Sequence, residues 1–126
     1  VSPNDYLNEI KACLMTAQIV TAFAVVEEWC LPDRGYLRVR ITLSTGDFLE
    51  SAEYVVERGD TCGPERYRHQ WMDSTKTMLR RRWDNVPHHP EVENFPHHVH
   101  LPDGRVQAGV RLSICEVLQV IADEQE

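Results

Sequence analysis

Hydrophobic positions near the N-terminus recur at helical spacing. Tyr6, Leu7, Ile10, Cys13, Leu14 and Ala17 form one stripe, which predicts a helix over 3–17. Ser2 is a suitable N-cap and Pro3 fits the first turn. The run 19–29 is Val-rich and apolar until Glu27, so it reads as a buried strand, with a helix the alternative. After the turn residues Pro32-Asp33-Arg34-Gly35 the pattern alternates cleanly. Leu37, Val39, Ile41 and Leu43 face one way, and Tyr36, Arg38, Arg40 and Thr42 the other. Thr45-Gly46-Asp47 turns the chain into a hairpin whose second strand, 48–56, places Phe48, Ala52, Tyr54 and Val56 on one face.

A loop over 59–64 leads to a fourth strand, 65–72, with Tyr67, His69 and Trp71 on one face. A turn at 73–75 leads to a fifth strand, 76–83. Short connections favour antiparallel neighbours, which predicts a curved five-stranded meander. Pro87, Pro90, Pro96 and Pro102 then interrupt regular structure over 84–102, and Asp103-Gly104 makes a further turn. Helical spacing returns from Ile114 to about Asp123, with Ser113 and Glu116 as a capping box and Leu112 with Val117 as its staple. The fold class is α+β: N-terminal helix, antiparallel sheet, His/Pro-rich loop and C-terminal helix, in one domain over 1–126.

No apolar run is long enough to cross a membrane, and no secretory signal is visible at the N-terminus. The four cysteines, Cys13, Cys30, Cys62 and Cys115, form no CxxC pair, so they read as buried free thiols in a reducing cytosol. The net charge of −7 argues against a general nucleic-acid binder, but it is unevenly spread. Residues 66–100 hold six Lys or Arg against four acids and all six histidines, while the rest of the chain is strongly acidic. Such a polarised molecule can present one basic face to an anion, or simply carry a charged strand surface.

The candidate chemistry is the imidazole-rich stretch. His88, His89, His97, His98 and His100 lie within thirteen residues, and His69 sits on the fourth strand. Imidazole exchanges protons near neutral pH and is a common metal ligand. His98 and His100 share a face if extended, which suits an acid/base pair or two ligands of a divalent metal. His88 and His89 point apart, so one at most joins them. The competing reading is that these rings bond backbone carbonyls and hold the loop together.

Arg80, Arg81 and Arg82 lead into this stretch, with Arg80 and Arg82 on one strand face. Guanidinium beside imidazole suits phosphodiester cleavage with neither metal nor cofactor. One histidine would take the proton of a 2′-hydroxyl, another would protonate the leaving oxygen, and Arg82 would hold the charge. The catalytic candidates are His88, His98, His100, Arg82, His69 and Glu53, the last as an orienting carboxylate. Glu53 lies opposite the Phe48/Tyr54 face, where an exposed charge on a solvated surface is the commoner outcome. Tyr67, Trp71 and Trp83 could stack on a base, although core packing is the usual fate of such rings. If a metal binds, His98 and His100 are its candidate ligands.

The run Arg82-Trp83-Asp84-Asn85-Val86-Pro87-His88-His89-Pro90-Glu91, followed by Phe95-Pro96-His97-His98-Val99-His100, resembles the RWDNxPHHPE…FPHHxH signature of TumE-type toxins of prokaryotic toxin–antitoxin modules. Glu53-Tyr54-Val55 is similar to that family's Glu-Tyr/Phe-Val strand. Tyr67-Arg68-His69-Gln70-Trp71 is similar to its Tyr-x-His-Trp strand, with one residue inserted between His69 and Trp71. The resemblance implies a small cytoplasmic toxin encoded beside a helix-turn-helix antitoxin. RNA as target comes from the His/Arg cluster. The alternative is a binding module without chemistry, whose loop takes a partner or a metal. A second copy of the chain, as a homodimer, is a further candidate partner.

Overall fold

The computed structural model describes residues 1–125. Helix α1 covers Pro3–Thr16. The Ser2 hydroxyl accepts from the Asp5 amide and the Asp5 carboxylate accepts from the Ser2 amide, which closes the capping box. Leu7, Ile10 and Leu14, one helical turn apart, are the buried stripe. Helix α2 covers Ile114–Glu124 with the expected Ser113/Glu116 box, and it buries Ile114, Val117, Leu118 and Ile121.

Between the helices runs one antiparallel sheet of seven strands in sequence order: β1 Val20–Cys30, β2 Arg34–Leu43, β3 Phe48–Arg58, β4 Thr61–Met72, β5 Leu79–Asp84, β6 His98–His100 and β7 Val106–Ala108. The meander is therefore as expected but two strands larger. The extra strands are only three residues long, too short to show an alternating pattern. Pro96 and Pro102 bracket β6 but leave its own amides free to pair with β5 and β7. The predicted loop at 59–64 is also mostly strand. Only Gly59-Asp60 turns, and Pro64 is accommodated where the β3–β4 register shifts.

The two sheet faces differ sharply. One meets the helices and carries Leu37, Val39, Ile41, Leu49, Val55, Tyr67, Trp71 and Trp83, all in the buried core. Tyr67, Trp71 and Trp83 are thus core residues and not a base-stacking platform. The opposite face carries Tyr36, Arg38, Arg40, Glu50, Tyr54, Arg66, Arg68 and Arg82, partly or fully exposed.

Three expectations about burial are corrected. Strand β1 is not buried: it is an edge strand paired only with β2, and Val25, Val26 and Trp29 are exposed. Its apolar run meets the helices only near its start, at Val20 and Phe23, so a continuous hydrophobic stretch here does not mean two covered faces. Glu53 is not a solvated charge but fully buried, because the helix-facing set on β3 is Leu49, Ser51, Glu53 and Val55. The cysteines are free, but Cys30 is exposed and the other three are half-buried.

Candidate active site

Pairing registers align the polar face into rows that cross the sheet. One row runs Arg38, Ala52, Arg68, Asp84, His98 from β2 to β6. Its neighbour runs Arg40, Glu50, Gln70, Arg82, His100. Two residues per strand, spaced by two, are enough to bring a carboxylate, two imidazoles and a guanidinium onto one patch. A pocket of about 330 Å³ lies there, lined by Arg68, Arg82, Asp84, His88, His89, His98 and His100 together with Val86.

Asp84 is the hub. One carboxylate oxygen lies 2.9 Å from His98 Nε2, and the other lies 3.1 Å from Arg82 Nε and 3.3 Å from His100 Nε2. The first oxygen also accepts from the Val86 amide. His98 Nδ1 donates to the Pro96 carbonyl at 2.9 Å, so the ring is held between that carbonyl and the Asp84 carboxylate. His98 and Asp84 are almost wholly buried and form a rigid pair behind the more accessible groups.

His100 Nε2 receives an Arg82 Nη2–H at 3.0 Å and stands 3.0 Å from His98 Nε2. An arginine can only donate, so this nitrogen carries a lone pair and the His100 proton sits on Nδ1. Burial, and then the Arg82 charge, hold the His100 pKa below the ordinary imidazole value. His89 completes the cluster with its ring centroid 4.9 Å from that of His98 and 5.6 Å from that of His100, and its Nδ1 on Glu91. One ligand atom each from His89, His98 and His100 lies within 4.8 Å of the others, close enough for a shared cation.

The structure gathers His98, His100 and Arg82 as the sequence suggests, and places exposed His88 at the pocket wall. Adjacent residues do point apart, and it is His89 that meets the pair. Arg80 does not share the site: the β4–β5 register shift turns it to Asp47, at 2.6 Å, and that carboxylate also accepts from Trp71 Nε1. Arg81 pairs with Glu124 and lies over the rings of Trp71 and Trp83.

His69 and Glu53 are not brought to this pocket; both lie on the helix-covered face. His69 Nε2 donates to the Leu112 carbonyl at 2.8 Å and Nδ1 accepts from Ser51 at 3.0 Å, which makes a neutral ring. Burial lowers its pKa to about 4. Glu53 accepts from the Tyr6 hydroxyl and the Ile114 amide, each at 2.6 Å, and so ties α1 and the start of α2 to β3. Burial raises its pKa to about 7. His97 is also apart, bonded to the Tyr67 hydroxyl. Of the adjacent pair, the sequence points to His88 as the catalytic candidate, whereas it is His89 that joins the cluster; Asp84 and Arg68 were missed, and the Arg82/Asp84 alternation before the histidines is the signal that identifies the first.

This geometry sits within a chain that matches the family model described as Toxin TumE over residues 10–125. The chain belongs to that family, and so is a toxin of a toxin–antitoxin system with an antitoxin as its partner. No curated protein and no solved structure matches it. Among the described residues no helix is long and apolar enough to cross a membrane.

Proposed function

We propose that the toxin cleaves RNA at this pocket without a metal. The observation that carries the reading is the Arg82 N–H on the His100 lone pair, beside a buried His98–Asp84 pair. A phosphate entering the pocket competes for Arg82 and Arg68. Drawing Arg82 onto the phosphate frees His100 Nε2 to accept the 2′-hydroxyl proton. The 2′-oxygen then bonds to phosphorus, the bond to the 5′-oxygen breaks, and His89 or His88 supplies the proton that leaves with that oxygen. The products are a 2′,3′-cyclic phosphate and a 5′-hydroxyl. General acid–base help of this kind is worth roughly a hundred- to ten-thousand-fold. His98 and Asp84 are too enclosed to meet the substrate and act by positioning His100 and Arg82.

The test is purified toxin, free of antitoxin, on single-stranded RNA in EDTA. Cleavage is expected, and a 2′-deoxy substitution at the cut site should abolish it. Cleavage that survives both His100→Ala and Arg82→Ala at full rate would overturn the proposal.

A second reading has its own support. The three convergent imidazoles resemble a ligand set for zinc or another divalent cation, and His98 and His89 each have an acceptor on the far nitrogen, as metal-binding histidines do. Arg82 opposes it, since a guanidinium occupies the His100 nitrogen that a cation needs and would repel it. One equivalent of zinc that co-purifies and is lost in His98→Ala would favour this reading; activity unchanged in EDTA would exclude a readily removed catalytic metal.

A further inference from the structure

Beside the His/Arg pocket, on the same sheet face, lies a second and larger hollow of about 640 Å³. Its walls are aromatic. Trp29 stacks on Tyr36 with centroids 6.1 Å apart, and Tyr54 is 6.2 Å from Trp29. The Arg66 guanidinium lies 4.9 Å over the Tyr54 ring. Arg68 and Val86 line both hollows, so the two adjoin. Trp29 is 38% exposed on an edge strand, an unusual place to leave the largest side chain.

We infer that this hollow is a nucleobase subsite: a base of single-stranded RNA stacks on Tyr54 and Trp29 while the adjoining phosphate lies on Arg68 and the next one enters the His/Arg pocket. The inference rests on the RNA-cleavage reading above and names what the substrate must offer, an unpaired base one nucleotide removed from the cut. Flat rings rimmed by two arginines suit a ligand that is both planar and anionic. An apolar peptide would leave that charge unmatched. Tyr54 and Asp84 are two strands and one row apart, which is about 12 Å along the sheet, the reach of a short extended strand and not of a single nucleotide monophosphate. Asn85, the lining amide that could read a base edge, has both ends committed, to the Tyr67 amide and the Glu65 carbonyl. Recognition is therefore by stacking, and it tolerates base identity.

The test uses full-length toxin and a short, fully 2′-deoxy oligonucleotide, which cannot be cleaved by the proposed route. The expected result is quenching of Trp29 fluorescence on binding, with Trp71 and Trp83 shielded in the core. An otherwise identical oligonucleotide with one abasic site should bind about fivefold or more weaker at its best register, and Tyr54→Ala should weaken the intact one by about as much. Equal affinity for intact and abasic strands would overturn the inference with no variant needed. So would loss of antitoxin binding in Tyr54→Ala with oligonucleotide binding untouched, which would make the hollow a protein-docking site. Base-dependent binding without cleavage of the matching RNA would uphold the subsite and sink the catalytic reading. Cleavage with base-independent binding would do the reverse.

Discussion

Arg82 on β5 and His100 on β6 are direct cross-strand partners, and their side chains meet with Nη2 3.0 Å from Nε2. A cation resting on the only free lone pair of an imidazole holds the ring neutral and blocks it at the same time. Removing Arg82 thus unblocks a base and also removes the phosphate's anchor. If the second effect dominates, as oxyanion stabilisation usually does, Arg82→Ala lowers the rate of RNA cleavage about a hundredfold or more. Arg82→Lys, which keeps charge but not the fork, should recover only part of it. A rate unchanged in Arg82→Ala would remove arginine from the mechanism.

The pH profile carries the same relationship. His100 must be neutral to act as base, so activity is lost as pH falls through its pKa. Burial and Arg82 place that pKa below the ordinary 6.5. The acidic limb of kcat/KM, which reports the free enzyme, should therefore lie below pH 6.5, and in Arg82→Gln it should move upward, since one lowering influence is gone while Asp84 remains. An acidic limb that stays in place would mean a different base.

Gly109 follows β7 and packs on the backbone of His98. A Cβ added there would meet His98 N, Cα and C at 3.2 Å, and backbone atoms cannot rotate away. Gly109→Ala should push β6 from its seat, cost about 1–3 kcal/mol in urea unfolding, and lower cleavage more than the stability loss explains. Wild-type stability and activity in this variant would show that β6 has room to move.

Glu53 and His69 pull stability in opposite directions. The folded state raises the Glu53 pKa from 4.5 to about 7, so its contribution is full below 4.5 and is lost as pH rises to 7. The His69 pKa falls from 6.5 to about 4, so its contribution is present above 6.5 and is lost as pH falls to 4. Glu53→Gln, whose amide oxygen can accept from Ile114 and whose NH₂ can donate to Tyr6, should keep the fold. Its stability relative to wild type should improve between pH 4.5 and 7, measured by urea unfolding at several pH values. A constant difference across that range would mean that Glu53 does not change charge there.

Much of the architecture was legible where one rule governed a whole element. Strand β2 alternates because one face meets the helices, and both helices announce themselves by caps and stripes. What escaped was decided by neighbours. Glu53 looks like a solvated charge until Tyr6 and Ile114 supply its partners from 47 and 61 residues away. Strand β1 looks buried because composition does not tell an edge from a centre. Arg80 leaves the site through a one-residue register shift that no periodicity reveals. The site was half visible for the same reason: the His98/His100 spacing survives any fold in which they are extended, whereas His89 arrives by a loop and Arg68 by the neighbouring strand β4, opposite Asp84.

The most direct measurement is the end group left on RNA cut by purified toxin in EDTA. A 2′,3′-cyclic phosphate is expected, formed by wild type and reduced at least tenfold in His100→Ala. No cleavage in EDTA that returns with added zinc, or a product carrying a 5′-phosphate, would contradict it.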